Sequence, residues 1–250
     1  MFTAEERSKL TPDKVIDILR RGNEEFVDDR LTIKNYTERL RNAAGGQHPV
    51  AVILACMDSR IPVEDIFHCG IGDIFVVRIA GNIVNADILG SMEFACKVAG
   101  AKLAMVLGHG DCNAVRLAIG DARLGHVTGL LDKIKPAVAR ATANFKGEAI
   151  SSDPGFVDTV CRVNVGSTVD EIRMRSPILK EMEDKSEIGI VGAMYDMHSG
   201  KVEFFYPEAA TVFEAKKKSI SQAIVDRKAV PLDTFIDELK TSVKEHFDHA

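Results

Sequence analysis

Residues Val50-Ala51-Val52-Ile53-Leu54-Ala55 are six apolar positions in a row with no polar interruption. A strand with one wet face alternates; this one does not, so both its faces must be covered, as in an inner strand of a parallel sheet with helices on either side. The run ends in Cys56-Met57-Asp58-Ser59-Arg60. A soft sulfur ligand, a carboxylate and a guanidinium thus follow at two-residue intervals, at the strand end where open α/β sheets place their crevice. Taken alone, Cys56 and Asp58 read equally well as a buried structural cysteine and an acidic cap for the next helix.

A second apolar run, Lys102 to Leu107, leads into Gly108-His109-Gly110-Asp111-Cys112-Asn113. His109 and Cys112 are three apart, so a helix beginning in this loop would let imidazole and thiolate converge on one point. Neighbouring parallel strands would then bring Cys56, Asp58, His109 and Cys112 together. Two thiolates, an imidazole and an available carboxylate are a zinc donor set.

The remaining pattern predicts an α/β fold: a mostly parallel central sheet of four strands plus an antiparallel edge strand, flanked by helices. Ile74 to Val77 reads as a strand after Gly70 and Gly72, and 86–99 as a crossover helix with Ile88, Leu89, Met92, Phe94, Ala95 and Val98 on a broad apolar face, stopped by Gly100. Segments 188–195 and 201–205 bracket Asp196-Met197-His198-Ser199-Gly200, a hairpin signal. Thr11-Pro12-Asp13 opens a helix reaching about Arg30. Further helices are expected at 34–41, 61–67, 114–119, 127–145 with an interruption at Pro136, 156–175 and 177–182. In the tail, Leu232, Phe235, Ile236, Leu239, Val243 and Phe247 recur at helical spacing. The predicted organisation is one catalytic domain over 1–206, with an N-terminal helical arm, and a C-terminal helical extension over 207–250.

At 250 residues and 46% hydrophobic content, one domain can bury a large core. The net charge of −5 gives no nucleic-acid footprint. No apolar run approaches the ~18 residues of a membrane span, and the N-terminus lacks the basic start and apolar centre of a secretion signal. The expectation is therefore a cytoplasmic protein without a membrane partner. Five cysteines, an odd number, argue for reduced thiols. Cys69, Cys96 and Cys161 have no ligand-like neighbours and read as packing residues.

Cys56-x-Asp58-Ser59-Arg60, Val76-Val77-Arg78-Ile79-Ala80-Gly81-Asn82 and Gly108-His109-x-x-Cys112, in this order and at this spacing, resemble the β-class carbonic anhydrases. The similarity runs from about Gln47 to Phe205. It implies one Zn2+ per chain on Cys56, His109 and Cys112, with Asp58 either completing the tetrahedron or, as the resemblance implies at mildly alkaline pH, turned away onto Arg60. The implied activity is reversible hydration of CO2 to bicarbonate and a proton by zinc-bound hydroxide, rising toward alkaline pH. Asp58 and Arg60 are then catalytic, Gln47 hydrogen-bonds the substrate, and Val84 and Phe94 line its pocket. The family also implies an even-numbered homo-oligomer, a dimer or tetramer. Its bicarbonate-gated branch carries a tryptophan where this chain has Ile53, and the chain has no Trp at all, which points to the ungated branch.

One departure bears on activity. Asn113 stands where the family usually has glycine, at a position whose N–H points at the bound anion, so a slower rate or a shifted substrate is expected. Two alternatives stay open: a hydrolase of a CO2 analogue such as carbonyl sulfide or carbon disulfide, and a catalytically silent structural or regulatory protein with Asp58 fixed on the zinc. Arg78 reads equally as a carboxylate's buried partner or as a catalytic group. His48, His68 and His126 are proton-transfer candidates by residue type alone.

Overall fold

The six-residue apolar run does become the centre of a sheet. In the computed structural model, which describes residues 2–30 and 36–205, strand β1 (Ala51–Ala55) is buried at every position. It pairs in parallel with β2 (Ile74–Arg78) on one side and β3 (Leu103–His109) on the other. β3 pairs in parallel with β4 (Gly189–Tyr195), which carries β5 (Val202–Phe205) antiparallel at the far edge. The order β2-β1-β3-β4-β5 is the predicted sheet of four parallel strands and one antiparallel edge strand. Because the chain leaves β1 for β2 and then returns to the opposite side of β1 as β3, the gap between the ends of β1 and β3 is a topological switch point.

Alternate residues of the inner strands feed two cores. Val52, Leu54, Ala104 and Val106 belong to one; Ala51, Ile53, Ala55, Met105 and Leu107 belong to the other. The helices covering them are α1 (Ala4–Ser8), α2 (Pro12–Val27), α3 (Tyr36–Ala44), α4 (Val63–Ile66), α5 (Ala86–Glu93), α6 (Asn113–Ile119), α7 (Gly125–Leu131), α8 (Lys135–Asn144), α9 (Pro154–Arg175) and α10 (Pro177–Asp184). Several starts follow from local chemistry. Thr11 caps α2 ahead of Pro12; Asp153 Oδ1 accepts from Gly155 N at 2.8 Å and Phe156 N at 3.1 Å at the head of α9; Ser176 Oγ accepts from Leu179 N at 3.2 Å ahead of α10.

Three details differ from expectation. α1 was not foreseen, although Thr3 and Glu6 form a capping box at its start. The helix expected over 127–145 breaks at 132–134, and Pro136 sits in the first turn of α8, where its missing N–H costs nothing. α5 ends in a π turn, Phe94–Val98, where Ala99 N reaches Phe94 O at 2.9 Å, and its apolar face is narrower than read: Phe94 is 54% exposed and Val98 71%. Phe94 lies about 200° round the helix from buried Met92, at an exposed groove that it shares with Phe75 and Val77 of β2. The predicted C-terminal helix lies outside the described residues. No described helix is long and apolar enough to cross a membrane.

Candidate metal centre

Strand register brings the ligands together. Ala55 of β1 is level with Leu107 of β3, so Cys56 and His109 emerge at the same end of two adjacent parallel strands. Asp111, with φ 51, turns the chain sharply, and Cys112 caps α6. The Sγ atoms of Cys56 and Cys112 are 3.9 Å apart, and one ligand atom each from Cys56, His109 and Cys112 lie within 4.8 Å of one another. All three side chains are buried, at 4%, 1% and 3% exposure.

The donors are arranged for a cation. His109 Nδ1 faces the Gly110 carbonyl at 2.8 Å, and since a carbonyl only accepts, the proton sits on Nδ1. Nε2 is then a bare lone pair, buried and without a hydrogen-bond partner among the described residues. An orphaned acceptor costs free energy unless something electropositive meets it. The Cys112 thiol first, and after it the His109 ring and the backbone N–H groups of Asp58 and Gly81, outweigh burial and hold Cys56 as a thiolate, well below the ordinary thiol range. Cys112 is pushed the other way, by sharing its proton with Cys56 and by burial. A divalent metal would displace that last proton and satisfy both sulfurs and Nε2 at once. This donor set fits zinc.

Asp58 does not join the cluster. Arg60 grips it in a fork, Nε to Oδ1 at 2.9 Å and Nη2 to Oδ2 at 2.7 Å, while Arg60 N adds a third bond to Oδ1 at 3.0 Å. These bonds lower the carboxyl pKa to about 2, so it is ionised at any working pH. Arg78 is neither a carboxylate's buried partner nor aimed at the centre. It is exposed, and its guanidinium donates to the carbonyls of Cys56, at 3.2 Å, and Asp58, pinning the loop that carries both.

The other named residues scatter. Val84 is fully buried in the same core as Cys56 and Cys112. Phe94 borders a groove with Phe75, Val77 and Ala86 that includes none of the three ligand residues. Gln47 is exposed and precedes β1, while Cys56 follows it; a five-residue strand spans roughly 17 Å. Gln47 is therefore not beside the cluster of its own chain. Asn113 opens α6 and is absent from the residues of positive φ, so the glycine-like conformation in this loop falls to Asp111 instead. His68 is tied to Glu25, and His126 sits exposed in the first turn of α7. All five cysteines are free and buried. Cys161 does more than pack at a distance, because the backbone N–H of Cys112 points at its sulfur; burial pushes that thiol up to about 12. Sequence reading also passed over Asn164, which bonds the Gly81 carbonyl behind Cys56; a polar residue on an apolar helix face was the available signal.

Two sulfurs and an imidazole at the switch point of a parallel sheet, with the nearby carboxylate withdrawn, define a metal-dependent α/β enzyme. The family model described as "Carbonic anhydrase" matches residues 51–202. "Carbonic anhydrase 2" of Mycobacterium tuberculosis is 35% identical over 189 residues, covering 73% of this chain and 87% of that protein. A carbonic anhydrase of Mycolicibacterium smegmatis is 32% identical over 191 residues, covering 74% and 89%. The crystal structure of the β-carbonic anhydrase CafA of Aspergillus fumigatus superposes with a TM-score of 0.62 at 26% identity, over 83% of this chain and 98% of that one. The chain belongs to the carbonic anhydrase family, in its β class.

Proposed function

We propose that the chain catalyses the reversible hydration of carbon dioxide to bicarbonate and a proton, with one Zn2+ held by Cys56 Sγ, His109 Nε2 and Cys112 Sγ. The observation that carries this reading is the fork between Arg60 and Asp58, which withdraws the Asp58 carboxylate and leaves three protein donors where closed zinc sites have four. When bound there, zinc supplies a Lewis acid that makes water a nucleophile near neutral pH. The chain's own residues do the rest. Asp58, kept ionised and oriented by Arg60, is a pure acceptor, and it would fix the direction of the attacking oxygen by accepting a hydrogen bond from it. Arg78 holds the loop carbonyls so that Cys56 and Asp58 keep their relative placement. Val84 closes the apolar wall behind the sulfurs, and the exposed Asn113 at the mouth of the loop offers its N–H to the product anion.

Gln47 and Phe94 join the substrate pocket only across a contact between copies, and a homo-oligomer supplies one. Among the described residues β2 is an unpaired sheet edge of half-buried apolar side chains beside the exposed Phe94, a surface suited to association. We assign residues 1–206 to the catalytic domain and 207–250 to a C-terminal extension. Ligands that must be thiolates suit a reducing compartment such as the cytoplasm.

Stopped-flow CO2 hydration on the zinc-loaded protein at about pH 7 and pH 8.5, beside Cys112→Ser, tests the assignment. Turnover that rises with pH and falls to the uncatalysed background in the variant is expected. Full zinc occupancy without turnover at either pH would sink it.

A further inference from the structure

One of the two cluster sulfurs is held by a chain of hydrogen bonds that starts on a helix carrying no ligand. Cys56 Sγ accepts the N–H of Gly81 at 3.4 Å. Gly81 adopts a left-handed conformation, φ 69 and ψ 18, and a Cβ there would lie 2.6 Å from Ile134 Cδ1. The backbone thus passes the sulfur where only glycine fits. Behind it, Asn164 Nδ2 donates to the Gly81 carbonyl at 2.8 Å. The amide's orientation is fixed by its partner, because a carbonyl oxygen only accepts.

Asn164 is 2% exposed on α9, and Val160, Cys161 and Val165 around it are equally buried. Burying a carboxamide among such neighbours is unfavourable unless its hydrogen bonds are made, and an aliphatic residue would fill the space without that cost. Its bond goes to a residue whose N–H reaches a cluster sulfur.

We propose that Asn164 is a positioning residue for the metal. By clamping the left-handed Gly81 it aims the Gly81 N–H at Cys56 Sγ, and so sets both the direction and the donor strength of that thiolate. This rests on the metal reading of Cys56, His109 and Cys112. A hydrogen bond to a ligand sulfur draws electron density from it, and such outer partners tune metal affinity by roughly 10–100-fold.

The test compares Asn164→Ala and Asn164→Leu with Asn23→Ala. Asn23 is also buried and also bonded to backbone, to Ile66 O at 3.2 Å and Gly200 O at 2.8 Å, but on α2, where no ligand is touched. Zinc affinity is read by chelator competition, and the sulfur-to-metal charge-transfer band is read after substitution with cobalt(II). Both Asn164 variants are expected to bind zinc about tenfold more weakly, because Cys56 is no longer held in place, and to move the band to lower energy, because the sulfur loses its hydrogen bond. Asn23→Ala should lose thermal stability with unchanged affinity and band. Leucine roughly matches asparagine in size and suits the apolar surroundings, so it reports where alanine fails to fold. Wild-type affinity and band in the Asn164 variants, or the same shift in Asn23→Ala, would overturn the proposal. A wild-type chain that takes up neither metal would overturn the metal reading beneath it.

Discussion

The site has two halves built to opposite specifications. Cys56, His109 and Cys112 are buried at strand ends whose neighbours are packed on both faces. The Asp58–Arg60 pair lies at the rim, with side chains 13% and 46% exposed, and is held by hydrogen bonds between residues two apart, with Arg60 also reaching the Asp111 carbonyl at 3.5 Å and Arg78 bonding the Asp58 carbonyl. The ligand half is positioned by the core and has one arrangement. The rim half is positioned by a charge pair in contact with water and can exchange partners. A metal is gripped by the first; whether its open side stays open depends on the second.

Removing the metal separates the halves most sharply. Chelation should abolish CO2 hydration while the far-ultraviolet circular dichroism stays native, because the strands that carry the ligands are packed without the ion's help. The melting temperature should fall by roughly 5–15 °C, since a ligand present at 100 to 1,000 times its Kd stabilises by about 2.7 to 4.1 kcal/mol. Unfolding on chelation would mean that zinc builds the site rather than occupies it.

Arg60→Ala attacks the rim alone. Asp58 loses both guanidinium bonds and keeps only the backbone N–H of residue 60, leaving it free to turn toward the metal. A fall in kcat/KM of about 10–100-fold with full zinc content is expected. Azide, which needs the open position, should no longer perturb the cobalt(II) spectrum. An azide response like that of the wild type would show that something other than Arg60 holds Asp58 away.

A smaller effect lies in the acid limb. The Asp58 pKa is lowered, from 3.8 to about 2, so its ionisation stabilises the fold fully above the unfolded value and not at all below the folded one. The stability gap between wild type and Asp58→Asn should be constant above about pH 4 and close as the pH falls toward 2, measured by denaturant titration across that range. For the same reason, a pH profile of activity between 6 and 9 should carry no inflection from Asp58.

The same division sets what could be read from the chain itself. The sheet was legible because an unbroken apolar run such as Ala51–Ala55 has few other uses, and the ligand set because sulfur and imidazole at two such strand ends have one common purpose. The partner choice of Asp58 was legible only through the family resemblance, which implied the pairing with Arg60; the spacing by itself permits both states, and the geometry of Arg60 decides. Phe94 was placed on the apolar face because its residue type suits a core, yet helical periodicity turns it outward. Asn164 was passed over for a different reason: a polar residue on an apolar helix face marks it, but its partner, Gly81, is 83 positions away, and no local pattern names a long-range bond to a backbone carbonyl.

Asn113 is where the comparison predicts least. A glycine would be required if the residue after Cys112 took a left-handed backbone, and it does not; Asp111 does, two positions earlier. Asn113 is exposed, at the first position of α6, and belongs to neither half: no core packs on it and no ion pair holds it. Its N–H, the group the reaction can use, is the same in either residue. Asn113→Gly should therefore change kcat/KM by no more than about twofold, the scale of an exposed substitution worth about 0.5 kcal/mol. A tenfold gain would show instead that the carboxamide crowds the open side of the metal, and would move Asn113 into the rim beside Asp58 and Arg60.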